Sequence, residues 1–185
     1  MALVPYQNPE DLAPEYRSLL DRPINLFRGF ANSPAALAHF HPFGEWIRWD
    51  CELDGRLREL AILEVGFLTA SEYEFTHHVV ISRQFGVTDE DIDNVIAFTR
   101  GESTTLSELD LLVLTAAREL TIDRALTDDT ANALIQELGH ARFTDVVVIS
   151  AFYNMVVRVL GGLRIDNEPE YAAALERFPL DPPRV

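Results

Sequence analysis

Between Gly55 and Val87 the sequence GRLRELAILEVGFLTASEYEFTHHVVISRQFGV gathers Glu59, Glu72, Tyr73, Glu74, His77 and His78. On a helix, Glu74 and His78 share a face at i, i+4, and Glu74 and His77 at i, i+3. A carboxylate hydrogen-bonded to an imidazole orients the ring and raises its basicity, which is the arrangement of a general acid or base. The same spacing also describes an ordinary surface ion pair, worth roughly a few tenths of a kcal/mol. Glu59 weighs on the side of chemistry, because the segment Leu57 to Leu68 is apolar nearly all round and a carboxylate there needs a partner or water. Against that, Arg56, Arg58, Glu59 and Glu64 could share one solvated strip.

Other residue types open further chemistry. Glu74-x-x-His77 has the Glu-x-x-His spacing of di-metal carboxylate bundles, and Glu137-x-x-His140 repeats it. Gly139 interrupts the second copy, the two further carboxylates would have to come from elsewhere, and no metal and no cofactor is expected. His39, Phe40, His41, Trp46 and Trp49 are dense enough to line a pocket for a planar ligand; core or subunit contact is the simpler reading. Arg28, Arg48, Arg56 and Arg58 are candidates for holding a substrate carboxylate. No Gly-rich phosphate loop, G-x-S-x-G elbow or zinc-type cysteine pattern is present.

The elements that must position these groups read as helices throughout. Ser33 and Pro34 mark a helix start, and Pro42 and Gly44 are expected to kink or interrupt that helix. Asp54 caps the apolar helix that carries Glu59. The chain then hinges at Thr69 to Ser71, and Ser71 with Glu74 at N3 reads as a capping box. Gly86 stops that helix. Thr88 to Gly101, Ser107 to Leu120, Thr127 to Gly139 and Arg142 to Leu160 come next, with a short helix around Tyr171 to Arg177. No strand-like alternation competes with this pattern. An all-α single domain spanning 1–185 is expected, with about 7–9 helices, an N-terminal arm over 1–22 and a C-terminal tail over 166–185.

Composition narrows the function classes. A net charge of −15 excludes the basic surface that nucleic acid demands and disfavours anionic membranes. A single cysteine, Cys51, permits neither an internal disulfide nor a C-x-x-C pair and suits a reducing cytosol. No signal-peptide pattern opens the chain, and the most apolar stretch, Val146 to Leu163, is broken by Ser150, Asn154 and Arg158, short of the ~20 residues of a membrane span. A cytoplasmic protein without nucleic-acid or membrane partners is expected.

The segment RLRELAIL followed by SEYEFTHHVVISRQFGVTDEDI resembles the carboxymuconolactone decarboxylase family, whose helical fold is shared with alkyl hydroperoxidase D. The resemblance runs over about residues 25 to 100. It implies an AhpD-like helical bundle that assembles as a trimer, hexamer or dimer. In the peroxidase branch the motif is a glutamate, then C-x-x-C and a histidine; here the glutamate falls on Glu59, the histidine on His78, and the cysteines on Ser71 and Glu74. Without either thiol, disulfide-based peroxidase chemistry has no nucleophile. The resemblance therefore implies a cofactor-free acid/base lyase or isomerase acting on a small carboxylated or lactone substrate. Glu59, Glu74 and His78 are the candidate catalytic residues, and Tyr73, His77, Ser71 and Trp46 the candidate substrate contacts. A non-catalytic binding or assembly protein, or a metal site at Glu74 with His77 or His78, are the alternatives.

Overall fold

A computed structural model describes residues 1–183, so the last two residues of the expected tail lie outside the described residues. The chain is all-α, with no strand among the described residues. Short 3₁₀ turns at Pro9–Asp11 and Pro14–Leu20 precede α1 (Asn25–Phe30) and α2 (Pro34–Trp49). Then come α3 (Gly55–Leu68), α4 (Glu72–Ile81), α5 (Asp89–Arg100), α6 (Glu108–Ile122), α7 (Asp128–Leu163), α8 (Pro169–Ala172) and α9 (Ala174–Arg177).

The bundle is built around α3. Every residue from Leu57 to Leu68 is buried, as an all-round apolar helix requires, with α4, α5, α6 and α7 packed about it. The Asp54 carboxylate caps it, accepting from the Arg56 and Leu57 amides at 3.0 and 3.1 Å. One face of α3 joins a large core with Leu37, Ile47, Val113, Val146 and Ile149, and the other a second core with Phe75, Val79, Ile92, Val95 and Leu114.

Helix starts on α5 and α6 are fixed by capping boxes, Thr88 with Asp91 and Ser107 with Asp110. Arg56, in the first turn of α3, reaches both boxes at once, 2.5 Å from Asp91 and 2.8 Å from Asp110. One guanidinium thereby sets the positions of two helix N-termini relative to the central helix. Hydrogen bonds to Asp91, opposed by burial and joined by those to Asp110, raise the Arg56 pKa further.

The junction between α3 and α4 is tight. Ala70 takes the left-handed conformation at φ 51°, and the Ser71 amide turns back to the Gly66 carbonyl at 3.0 Å. A Cβ on Gly66 would lie 3.1 Å from the Phe75 amide nitrogen, so the two helices touch there backbone to backbone. Gly139, at φ 74° and ψ 168°, breaks the long α7 where the sequence pattern stops one helix and begins another.

Three local expectations differ from the structure. Pro42 and Gly44 do not interrupt α2; Pro42 sits on an exposed side, where the carbonyl it leaves unpaired can meet solvent. Ser71 occupies the N-cap of α4 without a side-chain cap bond, and the Glu74 carboxylate, which a capping box would turn back to the helix start, pairs with His78. By length and composition α7 is apolar enough to cross a membrane, contrary to the reading of its polar breaks; it packs here against α3 and α6.

Candidate active site

Glu59 lies two turns before the close contact of α3 with α4, and His78 lies on the face of α4 turned toward it. The imidazole Nδ1 is 2.7 Å from Glu59 Oε2, and Nε2 is 3.0 Å from Glu74 Oε1. Arg58 donates to Glu59 Oε1 from both Nε and Nη2, each at 3.2 Å, while its guanidinium covers the Phe85 ring at 4.1 Å. All four side chains are buried, Glu59 at 1 % exposure. A solvated strip on α3 is thereby overturned: Arg58, Glu59 and Glu64 point inward, and Arg56 is committed to α5 and α6. The two arginines have carboxylate partners inside the protein, and Arg28 is held by the Gln7 carbonyl and Asn8. Of the four arginines considered as substrate anchors, Arg48 alone borders the cavity beside His78.

The electrostatics follow from this enclosure. Burial alone would depress the His78 pKa, but the charge and hydrogen bond of Glu59, then those of Glu74, lift it from 6.5 to about 9. Burial would likewise raise the Glu59 carboxyl; the His78 imidazolium and then Arg58 outweigh it and hold the carboxyl below its usual range. The arrangement is a protonated ring clasped between two carboxylates, with one arginine balancing the second charge.

His77 has different company. Its ring stacks between Tyr73 and Tyr171, with centroids 3.9 and 3.7 Å away. Nδ1 donates to the Tyr73 carbonyl at 2.7 Å, and Nε2 comes within 3.0 Å of Glu168 Oε2 without the alignment of a hydrogen bond. The other oxygen of Glu168 accepts from the Tyr73 hydroxyl at 3.1 Å and from the Asn25 amide, at the start of α1, at 2.6 Å. Burial tends to raise the Glu168 carboxyl, but the adjoining His77 ring, and after it the Asn25 amide, hold it below its usual range. Glu168 and Tyr171 thus tie the chain after α7 to α1 and α4. No spacing in the sequence points to either, since their partners lie more than ninety positions away.

A cavity of about 60 Å³ opens beside this cluster. Glu74, His77, His78 and Tyr73 line it from α4, Phe40, His41 and Arg48 from α2, and Phe152 and Tyr153 from α7. Glu59 stands behind His78 and does not reach its wall. Ser71 and Trp46 are not brought to this cavity: Ser71 faces a separate groove by Thr69 and Asn167, and Trp46 packs on Phe43 at 5.5 Å. Tyr153 and Arg22 also line it, and neither stands out from its sequence neighbours as a site residue; a tyrosine inside the otherwise apolar Val146–Leu163 run is the one local signal.

A metal site at Glu74 with both histidines finds no geometric support. His77 and His78 turn to different partners, and no cluster of three ligating side chains occurs among the described residues. Glu137 and His140 are exposed on either side of the Gly139 break.

Residues 34–104 match the model of the carboxymuconolactone decarboxylase family. No curated protein matches the chain. Among solved structures, an uncharacterized peroxidase-related protein from Ralstonia eutropha JMP134, described as an alkylhydroperoxidase AhpD core, superposes with a TM-score of 0.77. The alignment covers 92% of this chain and 94% of that one at 16% identity, a likeness that carries the fold and not the activity. Over residues 34–104 the chain is similar to the carboxymuconolactone decarboxylase family, and its fold is the AhpD-like helical one.

Proposed function

We propose that this protein is a cofactor-free acid/base lyase or isomerase acting on a small carboxylated or lactone substrate. The observation that carries this reading is the buried Glu59–His78–Glu74 array ending at the wall of a cavity. Three ionisable groups held out of water beside a cavity are a costly arrangement for stability alone and an ordinary one for proton transfer.

The pairing of His78 supports an order of proton transfer within this reading. Both nitrogens of His78 face carboxylates, so the ring cannot meet a ligand directly while those contacts hold. Glu74 and His78 both border the cavity, but with both ring nitrogens engaged a proton leaves the array through Glu74, with His78 resupplying Glu74 and Glu59 stabilising the imidazolium. In a decarboxylation the bond to the departing carboxyl breaks, its electron pair remains on the unsaturated skeleton, and a proton is delivered to carbon. The same delivery would serve an isomerisation.

Thiol peroxidase chemistry is not proposed, because the sequence has one cysteine and it lies outside the motif. Cys51 is engaged with the Ile47 carbonyl at the end of α2.

Turnover of a panel of small lactone acids and unsaturated carboxylates tests the reading. His78→Ala is expected to lose at least about a hundredfold in rate with unchanged helical circular dichroism; equal activity would remove His78 from the chemistry. The second reading, a binding or assembly protein, is favoured by the full pairing of both His78 nitrogens. It predicts that the same variant changes the melting temperature while wild type turns over nothing in the panel.

A further inference from the structure

Tyr153, on α7, packs against the ring of the acid/base array, lines the same cavity and has no task in the array. Its ring stands edge-on to the His78 ring, with centroids 5.0 Å apart at 84°, and is backed by Phe152 at 5.5 Å. The residue is buried, yet its hydroxyl takes no hydrogen bond among the described residues and is not one of the sealed, unpartnered polar atoms; it opens on the cavity. Burial, followed by the negative charges of Glu74 and Glu59, pushes its ionisation well up against the opposing pull of Arg48 and Arg58. It is therefore a neutral donor. A buried donor left without an acceptor is unfavourable, so the contents of the cavity must supply one.

Size and charge bound what that acceptor is. The cavity, at about 60 Å³, falls well short of the ~150 Å³ that admits a benzene ring. A planar end group of three or four heavy atoms fits; a ring has to remain at the mouth. Phe27, Phe40 and Phe152 provide apolar wall. With His78 protonated, the charges of Glu59, Arg58, Glu74 and His78 cancel. That leaves Arg22 and Arg48, neither of them in an ion pair among the described residues, against Glu45 at the same cavity. With the Glu168 carboxylate behind His77 counted as well, the balance is near zero, matching a neutral oxygen-bearing group or a singly charged one placed beside Arg48.

We propose that Tyr153 is a ligand-binding residue whose hydroxyl donates to the oxygen of a carboxylate or carbonyl end group seated opposite Glu74, with Arg48 balancing the charge when that group is anionic. The inference rests on the acid/base reading for the identity of the site, but binding is measured apart from turnover. Propionate, propionamide and 1-butanol, each of about five heavy atoms, serve as probes, titrated against the full chain by saturation-transfer NMR at neutral pH. Wild type is expected to bind the first two at least about tenfold more tightly than the alcohol. Tyr153→Phe weakens both by about tenfold with little change in melting temperature, whereas Arg48→Gln weakens propionate and spares propionamide. Equal binding by wild type and Tyr153→Phe overturns the inference, as does failure of both carbonyl probes to bind wild type. Loss of turnover in His78→Ala alongside unchanged probe binding in Tyr153→Phe would uphold the acid/base reading and discard this one. Tyr153-dependent binding with no turnover of any panel substrate would do the reverse.

Discussion

His78 Nδ1 stands 2.7 Å from Glu59 Oε2, a contact across 19 positions of sequence that joins two successive helices through a buried ring. Because the folded ring binds its proton far more tightly than an exposed histidine does, this contact makes stability depend on pH in a defined window. The folded pKa, about 9, lies above the ordinary 6.5. The contribution is fully present below 6.5 and is lost as pH rises through 9. Thermal melts of the wild type are expected to fall over that interval, and His78→Gln to flatten the fall. A wild-type profile flat to pH 10 would show the ring to be neutral.

Glu64 gives a second, separable slope. It is fully buried on α3; one oxygen accepts from the Thr99 hydroxyl at 2.5 Å and the other has no partner. Burial raises its pKa from 4.5 to about 7, despite the Thr99 hydrogen bond and the charge of Arg118. The folded state holds this proton more tightly than the unfolded chain, so stability declines as pH climbs from 4.5 to about 7. Glu64→Gln should remove that decline and leave the alkaline one in place, a separation readable from denaturant midpoints at pH 5, 7 and 9.

Removal of the Arg56 guanidinium would strand two carboxylates at once. Arg56→Met is expected to cost about 2–4 kcal/mol, since Asp91 and Asp110 are mostly buried and would lose their shared cation. A double substitution that also converts Asp91 to Asn should recover part of the loss, and urea denaturation of the three proteins measures it.

Glu168 holds the C-terminal segment onto α1 and α4. Glu168→Gln weakens acceptance from Asn25 and Tyr73 and removes the charge beside His77, which should cost about 1–3 kcal/mol. Limited proteolysis is expected to cut the variant after α7 sooner than wild type, with the helical core otherwise intact.

Much of the scaffold was legible because capping and periodicity are local. Asp54, Thr88, Ser107 and Thr127 each stand where a side chain closes a helix start, Gly86 and Gly101 adopt the left-handed conformation expected of a stop, and Gly139 breaks α7 with a positive φ and extended ψ. The grouping of Glu59 with Glu74 and His78 was legible in part: the i, i+4 pair from spacing, Glu59 from its presence in an apolar helix. Spacing offered Glu74 two partners, the Ser71 cap and His78, and could not rank them; in the fold it pairs with His78. Arg56 and Arg58 read either as part of a solvated strip or as substrate anchors, because the internal partners of a charge on a buried helix are recognised only once they are placed. Tyr153, Arg22, Glu168 and Tyr171 reach the site from distant segments, and nothing in their immediate neighbours encodes that convergence.

The bare backbone contact at Gly66 has a consequence for the whole array. It is the vertex at which α3 and α4 pivot, and Glu59 stands seven residues from it, roughly 10 Å along the helix. A methyl group there meets the Phe75 amide at 3.1 Å, tighter than ordinary packing. Like a shim in the joint of a pair of dividers, a few tenths of an ångström at the vertex open the legs by a comparable or larger amount at their tips. The gap between acid and ring is thus gauged by an absent side chain, well away from either partner.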